Sequence, residues 1–270
     1  MADIKDKIVT VDSLKTVYDI LNKKTTPYNL LDNSDFTNPV NQRGKLNYSG
    51  AGYTIDRWKA NSGNSHVAAP TAVIKYTTLT SDDTDSPMYL QQFIADGVIK
   101  NGCKYTVACT LDDGSVFTAS GTASTTMSEA IRYIYKTGIN VGNIRFKYDT
   151  SNKLYLVILS ATYNGLNVAN VALYEGDYND NTVPEYRPKG YGEELAECQR
   201  YFVALRARSD GSDMIADGAS NGQAFYSCLP LPVPMRGSDT PTVTYNGVNI
   251  YPYVEGGSVA VTGILSSTIL

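Results

Sequence analysis

The spacing of apolar residues changes twice along the chain, and each change marks a boundary. Val11, Leu14, Tyr18 and Leu21 recur at three- and four-residue intervals behind Thr10 or Asp12 as N-cap. This predicts a short amphipathic helix within a segment spanning 1–24. The four positions fit a and d of two heptads. So short a helix barely holds in water, so the stripe is expected to pack either on the body of the protein or on the same helix of other chains. The phrase KKTTPY, Lys23–Tyr28, ends this segment. Beyond it the period falls to two, with runs at Ala72–Leu79, Met88–Ile94, Lys104–Leu111, Val116–Ser120, Ile131–Tyr135, Asn143–Tyr148, Lys153–Thr162 and Val168–Tyr174. Turn signals such as DDG at Asp112–Gly114 and NG at Asn164–Gly165 separate them. Strands at this spacing predict a β-sandwich or jelly roll over 29–188.

The second change falls in Glu175–Phe202, where a stretch rich in Asn, Asp, Pro and Gly gives way to GEELAECQRYF. That phrase predicts one or two helical turns, a connector over 189–202, with Glu193 and Glu194 near its positive N-terminal end. Runs at Phe202–Arg208, Gln223–Leu229, Thr240–Tyr245, Val248–Tyr253 and Ser258–Leu265 then predict a smaller C-terminal β domain over 203–270. The fold class expected is mainly β, behind a short N-terminal helix.

Composition narrows the partners. The 23 basic and 27 acidic residues give a net charge of −4 with no basic run, so the electrostatic footprint of a nucleic-acid binder is missing. The N-terminal sequence has no apolar signal region, and no stretch approaches the length of a membrane span, so neither Sec export nor membrane insertion is expected. Cys103, Cys109, Cys198 and Cys228 lack CxxC spacing and companion histidines, which predicts reduced thiols. The unusual number is 21 tyrosines against one tryptophan. Tyrosine suits half-buried strands, and it also suits surfaces for sugars or partner subunits, because its ring offers apolar area with a polar tip.

The residues give little support to catalysis. His66 is the only histidine and sits in the loop-like stretch ANSGNSHVAAP, and there is no GxSxG elbow. Paired carboxylates for glycoside hydrolysis remain the one enzymatic alternative. No cofactor is expected, and no metal site, with calcium as a weak alternative at Asp82, Asp83 and Asp85 or at Asp177 and Asp180. In the phrase DRW, Trp58 is expected to anchor the core, while Asp56 and Arg57 form a local ion pair or hold a turn. Tyr48, Tyr53, Tyr89 and Tyr178 fall at expected loop or strand ends and are the candidate glycan contacts.

Several phrases resemble a known architecture. NLLDNSDFTNPVNQRG at Asn29–Gly44, followed by YTIDRW at Tyr53–Trp58, resembles the opening of a carbohydrate-binding-module-like jelly roll found in bacteriophage tail fibres. MYLQQFI, GCKYTVAC and VANVALYEGD are similar to the strands of that module. VPEYRPKGYGEELAECQRYF is similar to the phrase joining it to a C-terminal β domain, and LPLPVPMRGSDTPTV at Leu229–Val243 resembles a phrase of that domain. The resemblance runs in order over about residues 29 to 245 and implies a non-enzymatic structural protein located in the virion. It further implies an N-terminal segment that attaches to the particle or forms a homotrimer through Val11, Leu14, Tyr18 and Leu21. The β domains would then face host-surface polysaccharide and other virion proteins. The same modules occur in other appendages, so a head fibre or capsid decoration protein without glycan binding is an alternative, and a small polysaccharide depolymerase is another.

Overall fold

The structure is a computed structural model that describes residues 27–126, 129–204, 218–220, 225–227, 231–235, 249–250 and 259–260. The helix expected over 1–24, with its four oligomerisation positions, lies outside the described residues, as does most of the C-terminal stretch. Contacts divide the chain into two units, Met1–Val233 and Pro234–Leu270.

In the first unit, alternation of buried and exposed positions builds twelve strands. They are β1 (Asn47–Ser49), β2 (Gly52–Tyr53), β3 (Lys59–Ala60), β4 (Ser65–Ala68), β5 (Thr77–Ser81), β6 (Met88–Phe93), β7 (Lys104–Leu111), β8 (Val116–Thr122), β9 (Glu129–Lys136), β10 (Ile139–Asp149), β11 (Leu154–Ala161) and β12 (Leu166–Glu175). They form two antiparallel six-stranded sheets, in the orders β1-β4-β5-β12-β7-β8 and β2-β3-β6-β11-β10-β9. Inward-facing residues of both sheets share one core: Val107, Leu173 and Leu79 of the first meet Ile144, Leu159 and Leu90 of the second. Tyr105 of β7 lies 5.7 Å, ring centre to ring centre, from Phe146 of β10. This is the arrangement of a β-sandwich. The helix α1 (Tyr191–Gln199) follows, then a ribbon of β13 (Gly218–Ser220) with β14 (Phe225–Ser227). In the second unit, β15 (Asn249–Ile250) pairs with β16 (Val259–Ala260).

The eight expected runs each overlap a strand, β5 to β12, and the expected helical turns are α1. The largest displacement is at Ala72–Leu79, where pairing begins only at Thr77. There Thr71 Oγ1 takes the N–H groups of Val73 and Ile74 into a turn, and that local bond competes with strand formation. Strands β1 to β4 were not expected, because runs of two to four residues leave too little periodicity to read. His66 is consequently on β4 and not in a loop, and Phe202–Ala204 is not a strand.

The two phrases at either end of the sandwich sequence meet around Asn33. This buried residue has a left-handed backbone (φ 50°), and asparagine tolerates that conformation better than most residues. Its side chain accepts from Val40 N (2.6 Å) and donates to the carbonyls of Val40 (2.9 Å) and Asp56 (2.7 Å). Its carbonyl accepts from Trp58 Nε1 (2.8 Å), and its N–H donates to Glu194 of α1 (2.6 Å). Trp58 is fully buried, edge-on to Phe36 at 5.0 Å, as expected of a core anchor. The expected ion pair between Asp56 and Arg57 does not form. The turn through Ile55–Trp58 sends the two side chains apart: Asp56 pairs with Arg43 (2.8 Å) and Arg57 with Asp32 (2.8 Å). Each guanidinium also lies on a ring just beyond α1, Arg57 over Tyr201 at 3.5 Å and Arg43 over Phe202 at 3.9 Å.

Burial pushes the Glu194 carboxyl from its ordinary 4.5 up to about 7, against the pull of the Asn33 N–H and the Lys189 charge. Because the folded state holds the proton more tightly than the unfolded chain, the stability linked to this group is full below about pH 4.5. It is lost as pH rises through 7. Glu194→Gln keeps an acceptor for Asn33 and removes the charge, so thermal unfolding at pH 8 should show the variant roughly 1–3 kcal/mol more stable than the parent, with the difference vanishing at pH 4. At Gly142, beside a register shift in β10, an added Cβ would lie 2.0 Å from the Ser160 carbonyl oxygen of β11. Gly142→Ala should therefore lower stability by about 2–3 kcal/mol in urea unfolding.

Candidate functional site

The two sheets present different outer faces. Across the first, the chain after β12 folds back: Tyr178 N donates to Thr106 Oγ1 (2.9 Å), Ser120 Oγ donates to Tyr178 O (2.8 Å), and Asp180 accepts from Thr118 N (2.8 Å). Tyr178 of this segment packs edge-on against Tyr174, which is buried although its strand position faces away from the core.

The outer face of the second sheet carries three rows of side chains set by strand register. The first row is Tyr89, Ser160, Asn143 and Tyr133. The second crosses all six strands as Tyr53, Lys59, Gln91, Ile158, Arg145 and Ile131. The third is Phe93, Leu156, Lys147 and Glu129. Directly opposed residues share a face, so each row is a line of neighbours. The β11 residue is buried in every row, at 0% exposed for Ser160, 8% for Ile158 and 4% for Leu156, whereas Tyr53 and Tyr133 at the margins are half exposed. The face is therefore a trough with β11 as its floor and aromatic rims. With strands about 4.8 Å apart and alternate residues about 6.8 Å apart, it measures roughly 24 by 13 Å.

The floor holds polar groups without protein partners among the described residues. The Ser160 hydroxyl is buried and makes no hydrogen bond. The Gln91 amide, on a residue 9% exposed, has none either. Buried polar groups are almost always paired, so the Ser160 hydroxyl, closed off from solvent, is an exception, whereas the Gln91 amide is the group of the two that a ligand or water can reach. Arg145 is held in place, with Nε donating to Asn143 Oδ1 (2.6 Å) and Nη1 to Glu129 (3.2 Å), and its guanidinium lies 5.6 Å from the Tyr89 ring centre. Tyr53 at the opposite rim lies near Arg43 and Lys59.

Of the four candidate tyrosines, the structure brings Tyr53 and Tyr89 to this face. Tyr48 is buried in the core with its hydroxyl donating to Asn41, so it offers no platform. Its strand β1 turns the ring inward, a placement that a three-residue run cannot reveal. Tyr178 lies on the opposite face, edge-on to Tyr174. The acidic groups are taken up by protein donors: Asp82 by His66 (2.7 Å), Asp83 by the Asp85 N–H (2.8 Å), Asp177 by Lys104 and Asp180 by Thr118. Among the described residues no three His, Cys, Asp or Glu side chains converge as a metal site. Among them, too, Cys103, Cys109 and Cys198 are free thiols, and burial pushes Cys109 up to about 12. Sequence reading passed over Gln91, Tyr133, Asn143, Arg145 and Ser160. The alternation of Asn143, Arg145 and Lys147 within one strand did mark a polar face, but which residues oppose them depends on register.

No protein-family model matches the chain, and no curated protein matches it.

Proposed function

We propose that this chain is a structural protein of a bacterial virus, a fibre that attaches by its N-terminal segment and presents its β domains to host-surface polysaccharide. The sandwich serves as a jelly-roll module: successive strands β5, β6 and β7 alternate between the sheets, as do β8 and β9 and again β11 and β12, a pattern of crossing that jelly rolls share. The stretch from 203 onward serves as the smaller β domain, and the helix expected over 1–24 holds a homotrimer together.

The observation that supports glycan binding is the set of aromatic and polar side chains that strand register brings into line on this face. Sugars present apolar ring faces bordered by hydroxyls, and Tyr53, Tyr89 and Tyr133 offer rings beside the unpartnered Gln91 amide. A face of this size suits several sugar units of a polymer.

The test is a glycan array probed with the full-length protein. Binding to bacterial surface polysaccharides is expected, weakened about three- to tenfold by each of Tyr53→Ala and Tyr133→Ala, the amount one aromatic contact contributes. Val73→Ala, in an exposed loop that leads into β5 of the other sheet, should leave it unchanged. Absence of glycan binding beside firm capture of a capsid protein would replace the receptor-binding role with head decoration. Release of reducing ends from a bound polymer would replace it with an enzyme.

A further inference from the structure

We infer that the trough takes an acidic polysaccharide, with Arg145 gripping a sugar carboxylate; this rests on the glycan-binding role proposed above and names its substrate class. The charge on the face departs from that of the whole chain. The protein carries a net charge of −4, yet the three rows hold Lys59, Arg145 and Lys147 against a single carboxylate, Glu129. Lys59 and Lys147 form no salt bridge among the described residues, so their charges are available to a ligand.

Arg145 lies on β10, beside the outermost strand and two residues from Lys147, and is already posed for a carboxylate. Asn143 fixes its Nε edge, and Glu129, from the outermost strand, places a carboxylate oxygen 3.2 Å from Nη1. Nη2 has no protein partner among the described residues. A guanidinium, planar by resonance and oriented here by Asn143, with a free N–H pair beside aromatic rings, matches the fork geometry of carboxylate recognition. Glu129 is exposed at the edge, with a side chain that can swing away, so it acts as an internal competitor that an incoming carboxylate displaces. The Gln91 amide lies two strands from Arg145 on the same face, where a hydroxyl of the same sugar chain would meet it. A neutral polymer would leave Arg145, Lys59 and Lys147 partly desolvated with no charge to face, which costs affinity.

The experiment compares binding of the full chain to polygalacturonate, alginate and hyaluronan, to the same polymers after carboxyl reduction, and to dextran and mannan. Binding to at least one uronate polymer is expected, with at least a tenfold loss on carboxyl reduction. Arg145→Gln should remove the preference for the acidic form, with far-UV circular dichroism confirming the fold. Glu129→Gln, which removes the competitor, should tighten uronate binding severalfold, and it tests the same contact without removing Arg145. Equal binding to native and reduced polymers, or binding to neutral polymers alone, would overturn the acidic class while leaving polysaccharide recognition intact. Binding to none of the polymers would overturn both. Binding that tracks charge density alone, with dextran sulfate equal to the uronates and unaffected by Arg145→Gln, would reduce the contact to ion exchange and overturn the role of Arg145.

Discussion

The buried backbone around Asn33 has to be hydrogen-bonded, and this one asparagine, by its side chain and its own backbone groups together, ties several stretches of chain to one point. An unpaired amide or carbonyl in the interior costs about 1–3 kcal/mol, and Asn33 contributes bonds to Val40, Asp56, Trp58 and Glu194. Its left-handed φ places those groups within reach of one another. Trp58 then fills the end of the core against Phe36, and α1 is drawn onto the same point by a carboxylate that burial has made a weak acid.

The trough inherits one rim from this arrangement. The turn through Ile55–Trp58 joins β2 to β3 and so fixes Tyr53 and Lys59. Gln92 of β6 bonds both the N–H and the carbonyl of Asp32, and Arg57 reaches the Phe93 carbonyl, which pins the strand that carries Tyr89 and Gln91. The other rim rests on Gly142. Only a residue without Cβ lets β10 approach β11 there, and the register shift beside it sets Asn143 and Arg145 on the outer face. Backbone constraints far from any ligand thus decide which side chains stand together.

The division of labour between the sheets has a similar origin. The segment after β12 is rich in Asp, Asn and Gly, and it uses those groups to bond back onto Thr106, Thr118 and Ser120. Acidic residues that resemble cation ligands in the sequence are there to seal one face of the sandwich. On the opposite face no segment is bonded across the rows in this way among the described residues.

The sequence by itself determined the mainly β character, because alternation over six or more residues marks a strand without reference to its neighbours. It also determined the short helix near 191–199 and the buried role of the lone tryptophan. The shortest strands escaped it, since two or three residues have no period, and with them went the inward turn of Tyr48 and the place of His66. Tertiary structure alone decided the ion pairs of Asp56 and Arg57 and the rows of the trough. Such contacts depend on register and chain reversal, and residues as distant as Tyr53, Gln91, Arg145 and Ile158 become neighbours only when six strands align.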